Sequence, residues 1–235
     1  MRVSTLSERR RSQRVVRQLL MKFRDRFEAG QRLARILKPR NLREAVVLSL
    51  PRGGVKVGFE IAQALSLPHD IVSIRKIGHP GNPEFAACAI DEVGVFICDE
   101  SSGVSTESDW FKAESQRQRE EAHRRSVLYR QGRAALDIKD KMVILVDDGI
   151  ATGLTMRLAV RNVHAMQPRF LIVAAPVSSE EAARALREES DELILLDKPE
   201  EFLGSVGAHY EEFEQVDDTT VIALLEASHI ATTVV

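Results

Sequence analysis

Cysteines, net charge and long apolar runs are all scarce in this 235-residue chain, and each shortage removes a class of protein. Two cysteines, Cys88 and Cys98, are too few for a disulfide framework or a thiolate metal cluster; both lie in apolar-rich stretches and read as buried thiols of a reducing cytoplasm. No run approaches the ~18 apolar residues of a membrane span, and no secretory signal core is visible. A formal charge of −2 argues against a general nucleic-acid binder. With no internal repeat and no second domain in view, the length fits one soluble α/β domain with a sizeable core. The start of the chain is locally unbalanced: Arg2, Arg9, Arg10, Arg11, Arg14, Arg17 and Lys22 stand against Glu8 alone. Residues 1–22 read as a solvated basic arm or helix, with contact to a phosphate-rich partner as the alternative, and residues 23–235 as the domain.

What is present is concentrated in residues 143–156, Val-Ile-Leu-Val-Asp-Asp-Gly-Ile-Ala-Thr-Gly-Leu-Thr-Met. Residues 142–146 are short, β-branched and apolar on consecutive positions, as in a strand buried on both faces of a parallel sheet. Ligands bind beyond the carboxyl ends of such strands. There Asp147 and Asp148 can accept hydrogen bonds from vicinal hydroxyls. Gly149 and Gly153 allow a tight turn that aims backbone N–H groups at an anion, and Thr152 and Thr155 add hydroxyl donors. Residues 154–166 read as a helix whose positive N-terminal end faces the same anion. The unit fits a 5-phosphorylated ribose; the plainer alternative is an acidic turn without a ligand. No Gly-Lys-Ser/Thr follows the glycines, so this is not a Walker A loop.

Two further loops share that design. Residues 45–50 read as a strand, Pro51-Arg52-Gly53-Gly54 as the turn after it, and 55–65 as a helix. This loop offers backbone N–H groups at a helix N-terminus beside a guanidinium that can bind phosphate bidentately. After a strand at 70–74 comes Arg75-Lys76-Ile77-Gly78-His79-Pro80-Gly81-Asn82-Pro83-Glu84, whose glycines and prolines read as a mobile loop. Arg75 and Lys76 at its base can neutralise charge on a leaving group. His79 is a candidate proton carrier or a plain surface residue.

Elsewhere strands and helices alternate as a doubly wound fold requires. A first helix is expected at 27–37, strands near Leu171 and at 191–196, and an antiparallel hairpin from 86–91 and 94–98. A long Glu-, Gln- and Arg-rich helix spans 107–133, solvated along most of its length and docked through Trp110, Phe111, Val127, Leu128 and Tyr129.

Asp-Asp-Gly-Ile-Ala-Thr-Gly-Leu-Thr resembles the PRPP-binding signature of type I phosphoribosyltransferases, and residues 75–84 resemble a stretch found in bacterial phosphoribosyltransferase-domain proteins of unassigned substrate. The resemblance covers about residues 23–225. It implies a central, mostly parallel sheet flanked by helices, with a small hood at 197–213 that forms the base pocket together with the N-terminal segment. It implies that Asp147 and Asp148 hold the ribose hydroxyls. Gly149, Ile150, Ala151, Thr152, Gly153 and Thr155 would wrap the 5′-phosphate. Arg52, Gly53 and Gly54 would bind pyrophosphate, in a loop that often carries a cis non-proline peptide. Arg52, Lys76 and Arg75 become the catalytic candidates. Mg²⁺ would be held mainly through PRPP, with no protein metal site, and the partners would be PRPP, a nitrogen-containing acceptor and a second copy of the chain. The implied reaction transfers ribose 5-phosphate and releases pyrophosphate; a non-catalytic PRPP or nucleotide sensor, or an enzyme acting on another phosphoribosyl compound, are the alternatives. Enzymes for 6-oxopurines carry Asp where this chain has Ala151, so its loop is more like that of adenine enzymes. Phe202 and Tyr210 are the candidates for stacking on a base.

Overall fold

The computed structural model describes residues 22–42, 44–197 and 199–233; the basic arm up to residue 21 lies outside them. Five apolar strands, β1 (Val46–Ser49), β2 (His69–Ile71), β6 (Met142–Val146), β7 (Phe170–Ala175) and β8 (Glu192–Leu195), form a parallel sheet in the order β2-β1-β6-β7-β8. Their consecutive apolar residues alternate between two cores. Leu48, Leu145 and Val173 face one layer with α4 (Leu154–Ala165) and α5 (Glu180–Glu189), while Val47, Ile144 and Ile172 face the other with α1 (Arg26–Leu37) and α2 (Gly53–Leu65). Burial on both faces is why these strands show no polar alternation.

β1 connects onward to β2 on one side and β6 to β7 on the other, so the direction in which strands are added across the sheet reverses between β1 and β6, although the two run parallel. A crevice opens at the carboxyl ends flanking such a reversal. The two loops singled out in the sequence, 50–54 and 147–153, both lie there.

A second, antiparallel sheet joins β3 (Ile74–His79), β4 (Asn82–Asp91) and β5 (Phe96–Cys98) between α4 and the long helix α3 (Asp109–Arg130). It corrects two expectations. Residues 75–84 are not a mobile loop: Arg75 pairs with Ile90, Lys76 with Ala89 and His79 with Asn82, so only Pro80 and Gly81 turn. Gly78 sits where the register shifts, and a Cβ there would stand 2.3 Å from the Pro83 carbonyl oxygen, so its glycine serves a bulge. Nor are Cys88 and Cys98 free thiols. Facing each other across β4 and β5 with Cα atoms 4.0 Å apart, they are joined as a disulfide. The strand expected at 70–74 ends at Ile71, and Ile74 begins β3. The expected hairpin of 86–91 with 94–98 is present as β4 and β5, its turn held by Asp91 Oδ1, which accepts from the N–H groups of Val93, Gly94 and Val95. Phe111 and Tyr129 dock α3 as expected, whereas Val127 is exposed. The chain ends on α6 (Asp218–Thr233), which packs on α2, α3 and β2.

Candidate functional site

β6 delivers Asp147 and Asp148 into the crevice, where their environments diverge. Asp147 is half-buried, and its Oδ1 accepts from the Asp148 N–H at 2.8 Å. Burial, then the neighbouring charge of Asp148, push its carboxyl well above the usual carboxylate range. Asp148 is held by Arg26 of α1, whose Nε lies 2.5 Å from Asp148 Oδ2, with side-chain exposures of only 8% and 14%. Arg26 Nη1 also donates to the Glu214 carbonyl at 2.8 Å, and its guanidinium lies 3.7 Å from the Phe213 ring centroid. Tyr210 Oη donates to the Asp148 carbonyl at 2.6 Å. Arg26 was missed in the sequence because a helix arginine 122 positions from its partner carries no local signal.

The following loop is fastened from behind. Ile150 N–H donates to the Val177 carbonyl, Ser179 N–H to the Ile150 carbonyl, and Ser179 Oγ to the Ala151 carbonyl. Gly153 takes φ +81° as the N-cap of α4, and a Cβ there would also press on Ala182 at 2.9 Å. The other side of the loop stays open. Asp147, Gly149, Ile150, Ala151, Thr152, Gly153 and Thr155 floor a cavity of about 420 Å³. Its wall is Lys76, Phe85 and Ala86 from the small sheet, and residues 204–206 of the hood close it.

The loop before α2 closes on the acidic pair from the other side of the crevice. Its Pro51–Arg52 peptide is cis. A Cβ on Gly53 would stand 1.8 Å from Asp148 Oδ2, and one on Gly54 would stand 2.9 Å from Asp147 Cα and from the Val146 carbonyl oxygen. Both glycines are therefore required by close approach, Gly53 to the Asp148 carboxylate and Gly54 to the backbone at the end of β6. Arg52 turns away from the cavity, with Nη1 3.6 Å from Asp218 Oδ1. Of the two basic neighbours on β3, Lys76 lines the cavity, whereas Arg75 donates from Nε to Gln118 Oε1 of α3 at 3.0 Å; both also line an adjoining cavity of about 320 Å³ between β3 and α3.

The proposed stacking rings lie elsewhere. Tyr210 is buried on Asp148, and Phe202 stacks on His209 at 5.4 Å. Phe85 is the aromatic side chain on the cavity wall, unmarked in the sequence because it follows the Gly/Pro-rich stretch read as a loop. His79 accepts from the Gly81 N–H at Nδ1, which ties it to its own turn. Among the described residues no group of three or more His, Cys, Asp or Glu side chains is arranged to hold a metal ion.

The model of the phosphoribosyl transferase domain family matches residues 23–211, which takes in both crevice loops, the small sheet and most of the hood. The chain belongs to that family. As a family member it is 35% identical over 209 residues to "Putative phosphoribosyl transferase Rv0571c" and to "Putative phosphoribosyl transferase MT0597", both of Mycobacterium tuberculosis. Those matches cover 88% of this chain and 47% of each relative, so this phosphoribosyl transferase domain spans about half their length. The crystal structure of TT1426 from Thermus thermophilus is 41% identical, with a TM-score of 0.72 over 87% of this chain and 98% of that one. The central parallel sheet flanked by helices is thus shared with a solved relative.

Proposed function

We propose that this domain binds PRPP with Mg²⁺ and transfers ribose 5-phosphate to a nitrogen acceptor, with release of pyrophosphate. The observation that carries the reading is one cavity combining a half-buried carboxyl, a threonine-bearing loop at a helix N-terminus and a lysine on the facing wall. Backbone N–H groups of residues 151–155, with the hydroxyls of Thr152 and Thr155, anchor the 5′-phosphate. Asp147 engages the ribose hydroxyls, with Asp148 held beside it by Arg26. As the C1–O bond breaks, positive charge develops on the sugar and negative charge on the pyrophosphate; Lys76 stabilises the latter. Gly53 and Gly54 let backbone N–H groups reach the diphosphate. With no multi-carboxylate cluster among the described residues, the site suits a cation that arrives on the substrate's own phosphate oxygens. Mg²⁺ held in that way would neutralise diphosphate charge.

The acceptor meets Phe85, Ala151 and Val206. Ala151 offers a methyl group where a carboxylate would bond a purine ring N–H, so hypoxanthine and guanine lose a contact of about 0.5–3 kcal/mol. Incubation with PRPP, Mg²⁺ and a panel of nucleobases, read by pyrophosphate release, tests the reading. Turnover is expected with adenine or a less common nitrogen acceptor, and little with hypoxanthine or guanine. PRPP binding with no turnover across a broad panel would make the domain a sensor.

A further inference from the structure

The Glu- and Arg-rich sequence of α3 reads as a solvated face, yet one stripe of it is turned inward. Gln118, Glu121, Arg125 and Tyr129 recur at three- and four-residue spacing and so share that stripe. Arg125 is only 12% exposed and donates from Nε to Glu121 Oε1 at 2.7 Å. Arg75 reaches the same stripe from β3 through Gln118. Arg52 arrives from the loop before α2 to lie beside Asp218, the first residue of α6, which also accepts from Tyr129 Oη at 2.6 Å and Arg124 Nη2 at 3.1 Å. Guanidiniums from three elements are therefore gathered around Glu121 and Asp218. Their mutual repulsion registers on Arg75, whose affinity for its proton is lowered first by burial and then by the charges of Arg125 and Arg52, against the opposing pull of Glu121. Like charges assembled in partial burial lower stability unless an anion joins them.

The cluster adjoins the sugar site through two consecutive residues. Gly53 packs on Asp148 and its neighbour Arg52 reaches the cluster, so the loop that bounds the ribose clamp also bounds the guanidiniums. Three forked guanidiniums match the many oxygens of a diphosphate better than a single carboxylate. We propose that Arg125 is a further pyrophosphate-binding residue, completing with Arg52 and Arg75 a guanidinium site for the diphosphate, and that Asp218 is a resident acid which the diphosphate displaces from Arg52. This rests on the phosphoribosyl transfer reading above. Asp218 lies beyond the residues matched by the family model.

Calorimetric titration with magnesium pyrophosphate, and separately with ribose 5-phosphate, tests the assignment. Arg125→Gln is expected to weaken pyrophosphate binding at least about tenfold, with ribose 5-phosphate affinity held within about twofold, because charge-assisted bonds are lost at one end of the site alone. Arg125→Lys should fall between Gln and wild type, and Asp218→Asn should tighten pyrophosphate by removing the competing acid. Glu121→Gln removes Arg125's ion-pair partner but keeps the guanidinium, and should not weaken pyrophosphate. Unchanged pyrophosphate affinity in a folded Arg125→Gln protein overturns the inference. So does an equal loss of both ligands, or a Glu121→Gln variant that reproduces the loss. A wild-type protein that binds pyrophosphate but not ribose 5-phosphate would instead sink the phosphoribosyl reading on which the inference stands.

Discussion

Replacing Arg26 with methionine should destabilise the protein more than any surface arginine substitution. The methionine keeps much of the apolar stem but removes the guanidinium from Asp148, the Glu214 carbonyl and the Phe213 ring. Both charged groups are almost wholly desolvated, so the variant leaves Asp148 buried without its counter-ion. Breaking a buried pair from one side costs roughly 3–5 kcal/mol, against ~0–1 kcal/mol for an exposed pair such as Arg117 with Glu114. At about 2–4 °C per kcal/mol for a domain of this size, a loss of about 4 kcal/mol lowers Tm by roughly 8–16 °C. Differential scanning calorimetry at neutral pH reads this directly. Adding Asp148→Asn to Arg26→Met should recover much of the loss, because no uncompensated charge then remains. Arg26 also favours ionisation of Asp147, so its removal should raise that carboxyl further and weaken PRPP binding. A single variant within about 3 °C of wild type, or a double variant no better than the sum of its singles, would refute the reasoning.

Asp147 keeps its proton in the fold at pH values where the unfolded chain has lost it, so its contribution to stability falls as pH rises above 3.8; Asp147→Asn should remove that slope in denaturant midpoints measured from pH 4 upward. His69, buried between Ser49 Oγ at 2.8 Å and Ser228 Oγ at 3.1 Å, has the opposite sign. Burial lowers its pKa from 6.5 to about 3, so its contribution is complete above 6.5 and is lost as pH falls toward 3; His69→Gln should flatten that acid limb, and an unaltered limb would clear His69 of the role. Gly53→Ala should raise the PRPP Kd at least about tenfold while leaving the fold intact, since its Cβ must push the loop off Asp148; unchanged affinity by calorimetry would count against the packing.

The parts legible in the sequence are those whose signal is local. A strand buried on both faces must be apolar at consecutive positions, so β1, β6 and β7 stood out, and a tight turn into a helix must carry glycine, so the loops around Gly53 and Gly153 did too. Residues 75–84 misled because glycine and proline mark a bulge and a two-residue turn as readily as a loop; the pairing that distinguishes them lies in β4. Cys88 and Cys98 misled for a related reason: apolar surroundings say buried, but only the register of β4 on β5 says adjacent.

Under the proposed function, the phosphoribosyl end of the cavity and its acceptor end differ in the same respect. The first is one contiguous motif, because a strand, a turn and a helix N-terminus must follow one another to point N–H groups at an anion. The second is assembled from Phe85 on β4, Ala151 in the loop and Val206 in the hood, three positions joined by no spacing rule. A Cβ on Gly149 would stand 2.4 Å from Val206 Cγ1, so the hood rests directly on the PRPP-type loop. Under the proposed function, selectivity for the acceptor is thus set by how the hood seats on residue 149, and the hood is in turn tied to the acidic pair through Tyr210, Phe213 and Arg26. Substitutions at Phe85 should alter which acceptor is used with little effect on PRPP affinity, whereas substitutions at Val206 or Arg26 should alter both.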